Sequence, residues 1–154
     1  MIIRKLNDKD YPAVLKLYEA LDKLHADARP DCCCNREVAY PKDAYDEVTA
    51  HPDCLMLGAF NEAGTILGTV RAPLWEDSGM VKGIRNVCLD NIYVLPAYRR
   101  MGIAGKLFRE VEAWTREKGA VRLELHVWDF NKDAMALYKA MDMTPQRYVL
   151  EKKL

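Results

Sequence analysis

The chain has 154 residues, 50% of them hydrophobic, and its 23 Lys+Arg are balanced by 23 Asp+Glu. One sizeable core and a single domain over residues 1–154 are expected, and a net charge of zero gives no global field for nucleic acid or an anionic membrane surface. No apolar run approaches the roughly 20 residues that span a bilayer, and the start Met1-Ile2-Ile3-Arg4-Lys5-Leu6 lacks a secretory hydrophobic region, so a cytoplasmic protein is expected.

Residues 2–6 read as a strand, after which Asn7 or Asp8 can cap a helix to about Leu24. Val14, Leu15, Leu17, Tyr18 and Leu21 line its apolar face. Residues 25–40, with Pro30, form a loop of the kind that carries function, before a second short helix near residues 41–50. Within that loop Cys32-Cys33-Cys34 invites a metal reading, but adjacent residues rarely converge on one ion and no Cys-x-x-Cys pair exists elsewhere, so no metal is expected. Five cysteines without a signal sequence read as reduced thiols, and His25, His51 and His126 show no ligand spacing.

Residues 55–60 and 66–72 flank Asn61-Glu62-Ala63-Gly64-Thr65 as an antiparallel hairpin. Asp77-Ser78-Gly79 and Lys82-Gly83 mark the next connection, and residues 86–94 the next strand. A helix then runs to about Lys118, where Gly119 stops it, followed by an alternating strand over 121–128, a helix over about 132–141 and a last strand over 146–151. With no repeats or linkers, this order predicts an α/β (α+β) domain with one mixed sheet covered by helices.

The most informative stretch joins the strand at Leu89-Asp90-Asn91-Ile92-Tyr93-Val94-Leu95 to the helix beginning near Ile103. The first amides of a helix lack carbonyl partners and their aligned dipoles favour an anion, so this junction reads as a phosphate cradle. Gly102, Ala104 and Gly105 remove bulk where backbone must approach the anion; Arg99, Arg100 and Lys106 supply positive charge. A P-loop would need Gly where Arg100 stands and Ser or Thr where Leu107 stands, and a dinucleotide fingerprint would need Gly at Ala104 and Leu107. What remains is Arg-x-x-Gly-x-Ala over residues 99–104.

That pattern resembles the coenzyme A signature of the GNAT superfamily of N-acetyltransferases, written Gln/Arg-x-x-Gly-x-Gly/Ala. Downstream, Asn131, Ala134 and Tyr138 follow the family's second motif, although Met141-Asp142-Met143 departs from its Gly-Phe-like end. The resemblance covers about residues 87–143; the N-terminal half fits in length and element order only. It implies a mixed, mostly antiparallel sheet flanked by about four helices. Its central strand (86–94) and the strand after the cradle helix (121–128) splay apart to admit pantetheine.

The resemblance also implies acetyl-CoA as co-substrate, with the pyrophosphate over residues Arg99, Arg100, Met101, Gly102, Ile103, Ala104, Gly105 and Lys106. A backbone amide near Ile92, Tyr93 and Val94 would serve the thioester carbonyl, Asn131 the pantetheine arm, and Tyr138 would protonate the departing thiolate. Tyr138 also lies on an apolar stripe with Ala134, Leu137 and Met141, and Asn131 is a natural helix N-cap. Some family members place a glutamate where this chain has Cys88. Asp90, which shares Cys88's face in a regular strand, is the preferred base, with Glu76, Glu124 or a water relay as alternatives. The acceptor is expected on the side of the first helices, where Asp27, Asp31, Glu37, Glu76 and Asp77 could attract a cationic amine. The leading function is acetyl transfer to a primary amine of a small molecule or peptide; the alternative is a non-catalytic acyl-CoA-binding sensor. A homodimer stays open.

Overall fold

The computed structural model describes residues 1–76 and 83–153. The expected connection through Asp77-Ser78-Gly79 and Lys82 falls outside the described residues. In chain order the elements are β1 (Ile2–Lys5), a 3-10 turn (Asp8–Asp10), α1 (Tyr11–Ala28), α2 (Lys42–Ala50), β2 (Cys54–Phe60), β3 (Ile66–Glu76) and β4 (Arg85–Leu89). There follow β5 (Asn91–Val94), a second 3-10 turn (Pro96–Tyr98), α3 (Ile103–Glu117), β6 (Arg122–Leu125) and α4 (Lys132–Ala140).

Asn7 does cap, but it caps the short 3-10 turn, in a reciprocal box with Asp10. Arg4 grips the Asp10 carboxylate with two hydrogen bonds of 2.7 and 2.8 Å, fixing β1 to the start of the helical segment. Pro in its first turn admits α1 without loss of a helical hydrogen bond, and the helix runs beyond Leu24 to Ala28.

The sheet runs β1-β2-β3-β4-β6, with β5 also paired to β3. All pairings are antiparallel except β4 with β6. Alternation along the strands feeds two cores: Leu57, Val70 and Val87 join Leu107 and Val111 of α3, while Met56 and Tyr93 join Val14, Leu17 and Tyr45 of α1 and α2. Each such buried side chain contributes about 1.5–3 kcal/mol relative to exposure, so α3 is held against the sheet along its whole apolar stripe.

The central strand is not regular. Arg71 of β3 opposes Asn91 whereas Leu74 opposes Val87, so the central strand carries one extra residue between those pairs. This is a β-bulge at Asp90, whose amide donates to the Arg71 carbonyl at 3.0 Å. It reverses the alternation: Val87 and Leu89 face the α3 core, and beyond the bulge Ile92 and Val94 do so. Tyr93 therefore enters the α1 core.

The same break opens the sheet. β4 pairs with β6 in parallel from Asn86↔Arg122 to Leu89↔Leu125, while β5 pairs with β3 alone among the described residues. The strands therefore part after Leu89 and Leu125, which is the expected splay. It also shortens the expected strand 121–128, because residues after Leu125 lose their ladder partner.

The expected strand over 146–151 does not form. Gln146 reaches Glu124 at 3.3 Å and Arg147 reaches His126 at 3.4 Å, but these contacts are between side chains. Val149 is 91% exposed, so apolar composition without a partner strand or core face does not produce a strand. Among the described residues no helix is long and apolar enough to cross a membrane.

Candidate active site

The junction read as a cradle is built as expected at its backbone. Gly102 takes φ +74° and Arg100 φ +64°, which turn the chain sharply into α3. The Lys106 amide bonds to the Gly102 carbonyl at 3.1 Å as the helical ladder begins, leaving the amides of Ile103, Ala104 and Gly105 outside that ladder. Among the described residues no side chain caps this end. A Cβ added at Gly105 meets nothing nearer than Met141 Cε at 3.9 Å, so packing within the protein does not require glycine there. Ile103 is buried and Met101 exposed, so Ile103 can serve an anion only through its backbone.

The three cations of the turn do not converge. Arg99 donates from Nε to the Val94 carbonyl at 3.1 Å and stands over the Tyr93 ring. Arg100 is exposed and pairs with Asp133 at 3.4 Å, and Lys106 borders an open surface hollow together with Met1, Ile3 and Glu110. The helix amides, more than a ring of side chains, make this end attractive to phosphate.

One wall of the splay is the free side of β5. The Leu95 amide donates to the Leu67 carbonyl of the β3 side at 2.9 Å, so by antiparallel alternation Tyr93 turns its backbone groups to β3 while Ile92 and Val94 turn theirs into the gap. α4 lies beside the start of α3, with Asp133 paired to Arg100 and Met141 next to Gly105. Asn131 is its N-cap, accepting from the Ala134 amide at 3.2 Å through Oδ1, which leaves its side-chain NH₂ for another acceptor. Tyr138 is buried within the α3-side core, and burial pushes its phenol up to about 12, so it is a fully protonated donor at neutral pH.

α4 ends where the family motif and this chain diverge. Asp142 occupies the left-handed region at φ +59°, and the Met143 amide closes the helix on the Tyr138 carbonyl at 3.0 Å. Asp142 thus supplies by strain the conformation that glycine adopts freely.

Asp90 sits at the bulge, partly exposed, with Oδ2 3.2 Å from Arg71 Nη1 and accepting from the Asn91 side-chain Nδ2 at 3.3 Å. The Cys88 thiol is pushed up to about 11, first by burial and then by the Asp90 and Glu124 charges. Among the alternative bases, Glu76 pairs with Arg85 at 3.6 Å, and Glu124 contacts Gln146. The acidic residues expected to draw a cation are spread out. Asp27 pairs with Lys23, and Asp31 pairs with Arg29 and Lys153. Glu37 is exposed and Asp77 lies outside the described residues.

Sequence reading missed Arg71. It points to the α1 side of β3, half-buried, next to Asp90 and to the tyrosines of α1 and the following loop. Its signal was a lone charge inside Ile66-Leu67-Gly68-Thr69-Val70-Arg71-Ala72, an otherwise apolar strand.

A sheet that parts after Leu89 and Leu125, an α3 start without a side-chain cap among the described residues, and an Asn–Tyr helix beside that start are the features of an acyl-CoA-type transferase fold. The Acetyltransferase (GNAT) family model matches residues 16–143, and the chain belongs to that family. Over 57 residues it is 47% identical to the thialysine N-epsilon-acetyltransferase of Bos taurus, a match covering 37% of this chain and 34% of that protein. The chain thus spans about a third of the length of the curated relatives it matches. Its fold is similar to a mutant of the BH1408 protein from Bacillus halodurans (TM-score 0.95, 22% identity, 100% of this chain and 99% of that one). It is also similar to an aminoglycoside N-acetyltransferase in complex with CoA (TM-score 0.73, 20% identity, 99% of each chain).

Proposed function

We propose that this protein is an acetyl-CoA-dependent N-acetyltransferase that moves the acetyl group directly to a primary amine of a small molecule or peptide. The observation that carries the reading is the parting of β5 from β6 together with an α3 start that no side chain caps among the described residues, beside the helix of Asn131 and Tyr138.

When bound, acetyl-CoA supplies the activated acyl thioester. The α3 amides and the glycine at position 105 receive its pyrophosphate, and the free NH₂ of Asn131 holds the pantetheine arm. Outward amides of Ile92 and Val94 donate to the carbonyl oxygen, on which negative charge grows during attack. An alkylamine near pKa ~10 must first lose a proton, and Asp90, on the acceptor side of the bulge, takes it. As the new C–N bond forms and the C–S bond breaks, Tyr138 delivers a proton to the thiolate. We place the reaction in the cytoplasm, where the five free cysteines stay reduced, and no step calls on a metal.

The test is mass-spectrometric detection of acetyl transfer from acetyl-CoA to pooled amines, amino acids and peptides. Acetylated product that depends on the enzyme is expected. Acetyl-CoA binding with no product across the pool would instead favour a sensor.

A further inference from the structure

Three buried polar atoms on the α1 side of the bulge have no hydrogen-bond partner among the described residues: Tyr18 Oη, Tyr40 Oη and Arg71 Nε. Tyr18 is 3% and Tyr40 4% exposed, and their rings stack with centroids 4.4 Å apart. Burying hydroxyl and guanidinium donors without acceptors is costly, so a group of this kind is expected to serve a ligand. Met56, the cross-strand partner of Arg71, packs in one core with Tyr18 and Tyr40, so Arg71 emerges on the face of the sheet that these tyrosines cover, and its charge opposes the upward push of burial on their hydroxyls. Asp90 takes the Nη1 corner of the guanidinium, and the Cys54 thiol also lies against it. Five N–H donors in a planar fork leave capacity for a second anion after one carboxylate is served.

We infer that the acceptor carries a carboxylate as well as its amine, and that Arg71, with the Tyr18 and Tyr40 hydroxyls, holds that carboxylate. This rests on the transferase reading and specifies its substrate class as amino-acid-like zwitterions. The logic is one of charge matching: Asp90 faces the amine and Arg71 the carboxylate. A polyamine would set like charge against Arg71 and leave the tyrosine donors without acceptors. Arg71 is then a specificity-determining residue for the acceptor.

The experiment offers the protein acetyl-CoA with two matched pools, free amino acids and the same amino acids as carboxamides, and reads acetylated products by mass. Free amino acids are expected to exceed their carboxamides by at least about tenfold in kcat/KM, since the site's donors go unpaired with the amides. Arg71→Gln should raise KM for the preferred amino acid by about tenfold or more and erase the discrimination. Arg71→Lys, which keeps the charge but loses the fork, should recover part of it, and Tyr40→Phe, which leaves all charges in place, should raise the same KM more modestly. Equal use of both pools, or discrimination that survives both Arg71→Gln and Tyr40→Phe, overturns the assignment. So does transfer to simple polyamines with none to either pool. Failure to bind acetyl-CoA at all would overturn the transferase reading itself.

Discussion

Arg99 Nε donates to the carbonyl of Val94 at 3.1 Å, so the first residue of the Arg-x-x-Gly-x-Ala pattern is latched to the last residue of β5. That bond occupies an outward carbonyl beside the splay and sets the angle at which the chain leaves the strand for the Gly102 turn. The arginine therefore acts through geometry, in addition to any charge it adds near phosphate. Arg99→Ala is expected to weaken acetyl-CoA binding by roughly ten- to a hundredfold, in line with about 1.5–3 kcal/mol for a hydrogen bond to a charged group. Arg99→Lys should recover little in titration calorimetry, because an ammonium on a flexible stem does not reproduce the fixed Nε direction. Full rescue by lysine would show that charge alone matters.

Tyr138→Phe removes the hydroxyl while keeping the ring that packs in the α3-side core. A fall in kcat of about 100-fold is expected, with acetyl-CoA affinity little changed. Because burial raises this phenol to about 12, the proton is lost only as pH climbs through that value, so the wild-type enzyme should show no fall in kcat from Tyr138 between pH 7 and about 10. An alkaline limb inside that range that vanished in the phenylalanine variant would contradict the burial argument.

Gly105→Ala separates folding from cofactor approach. The added methyl has Met141 Cε at 3.9 Å as its nearest neighbour. Alanine favours a helix over glycine by about 0.5–1 kcal/mol, so the melting temperature should rise slightly. Acetyl-CoA affinity should fall, because the methyl stands in the first turn where the pyrophosphate is to be received. A variant that melts higher and binds equally well would remove Gly105 from the site.

Asp142→Gly should stabilise the fold. The residue ends α4 at φ +59°, a conformation that costs a non-glycine residue about 1–2 kcal/mol. Glycine relieves that strain and restores the family's usual residue; a gain on the order of 1 kcal/mol in urea unfolding is expected, reduced by glycine's greater freedom in the unfolded chain. No gain, or a loss, would show that the Asp142 side chain compensates for its backbone.

The cradle was legible because its signals are local. A strand, a proline, a small-residue turn and an amphipathic helix follow one another within about twenty positions, and each depends on neighbours in sequence. The helix that carries Asn131 and Tyr138 was legible for the same reason, since the Asn131 N-cap depends only on its place at the start of α4. The failed strand at 146–151 marks the limit of that kind of inference: Tyr148, Val149 and Leu150 have strand-like composition, but a strand forms only against a partner that supplies ladder bonds.

By itself, then, the sequence determined the element order as far as α4, apart from the break in the central strand, together with the amphipathic faces and the family motif, all written in spacing along the chain. Tertiary structure alone decided the bulge at Asp90, the parting of β5 from β6, and the meeting of Arg71 with Asp90, Tyr18 and Tyr40. Register between β3 and the central strand places the extra residue, and register is set by which apolar side chains reach which core. A one-residue offset in that pairing carries no local signature, yet it turns Ile92 toward one core and Tyr93 toward the other, and it sets the charged pair of Arg71 and Asp90 at the bulge.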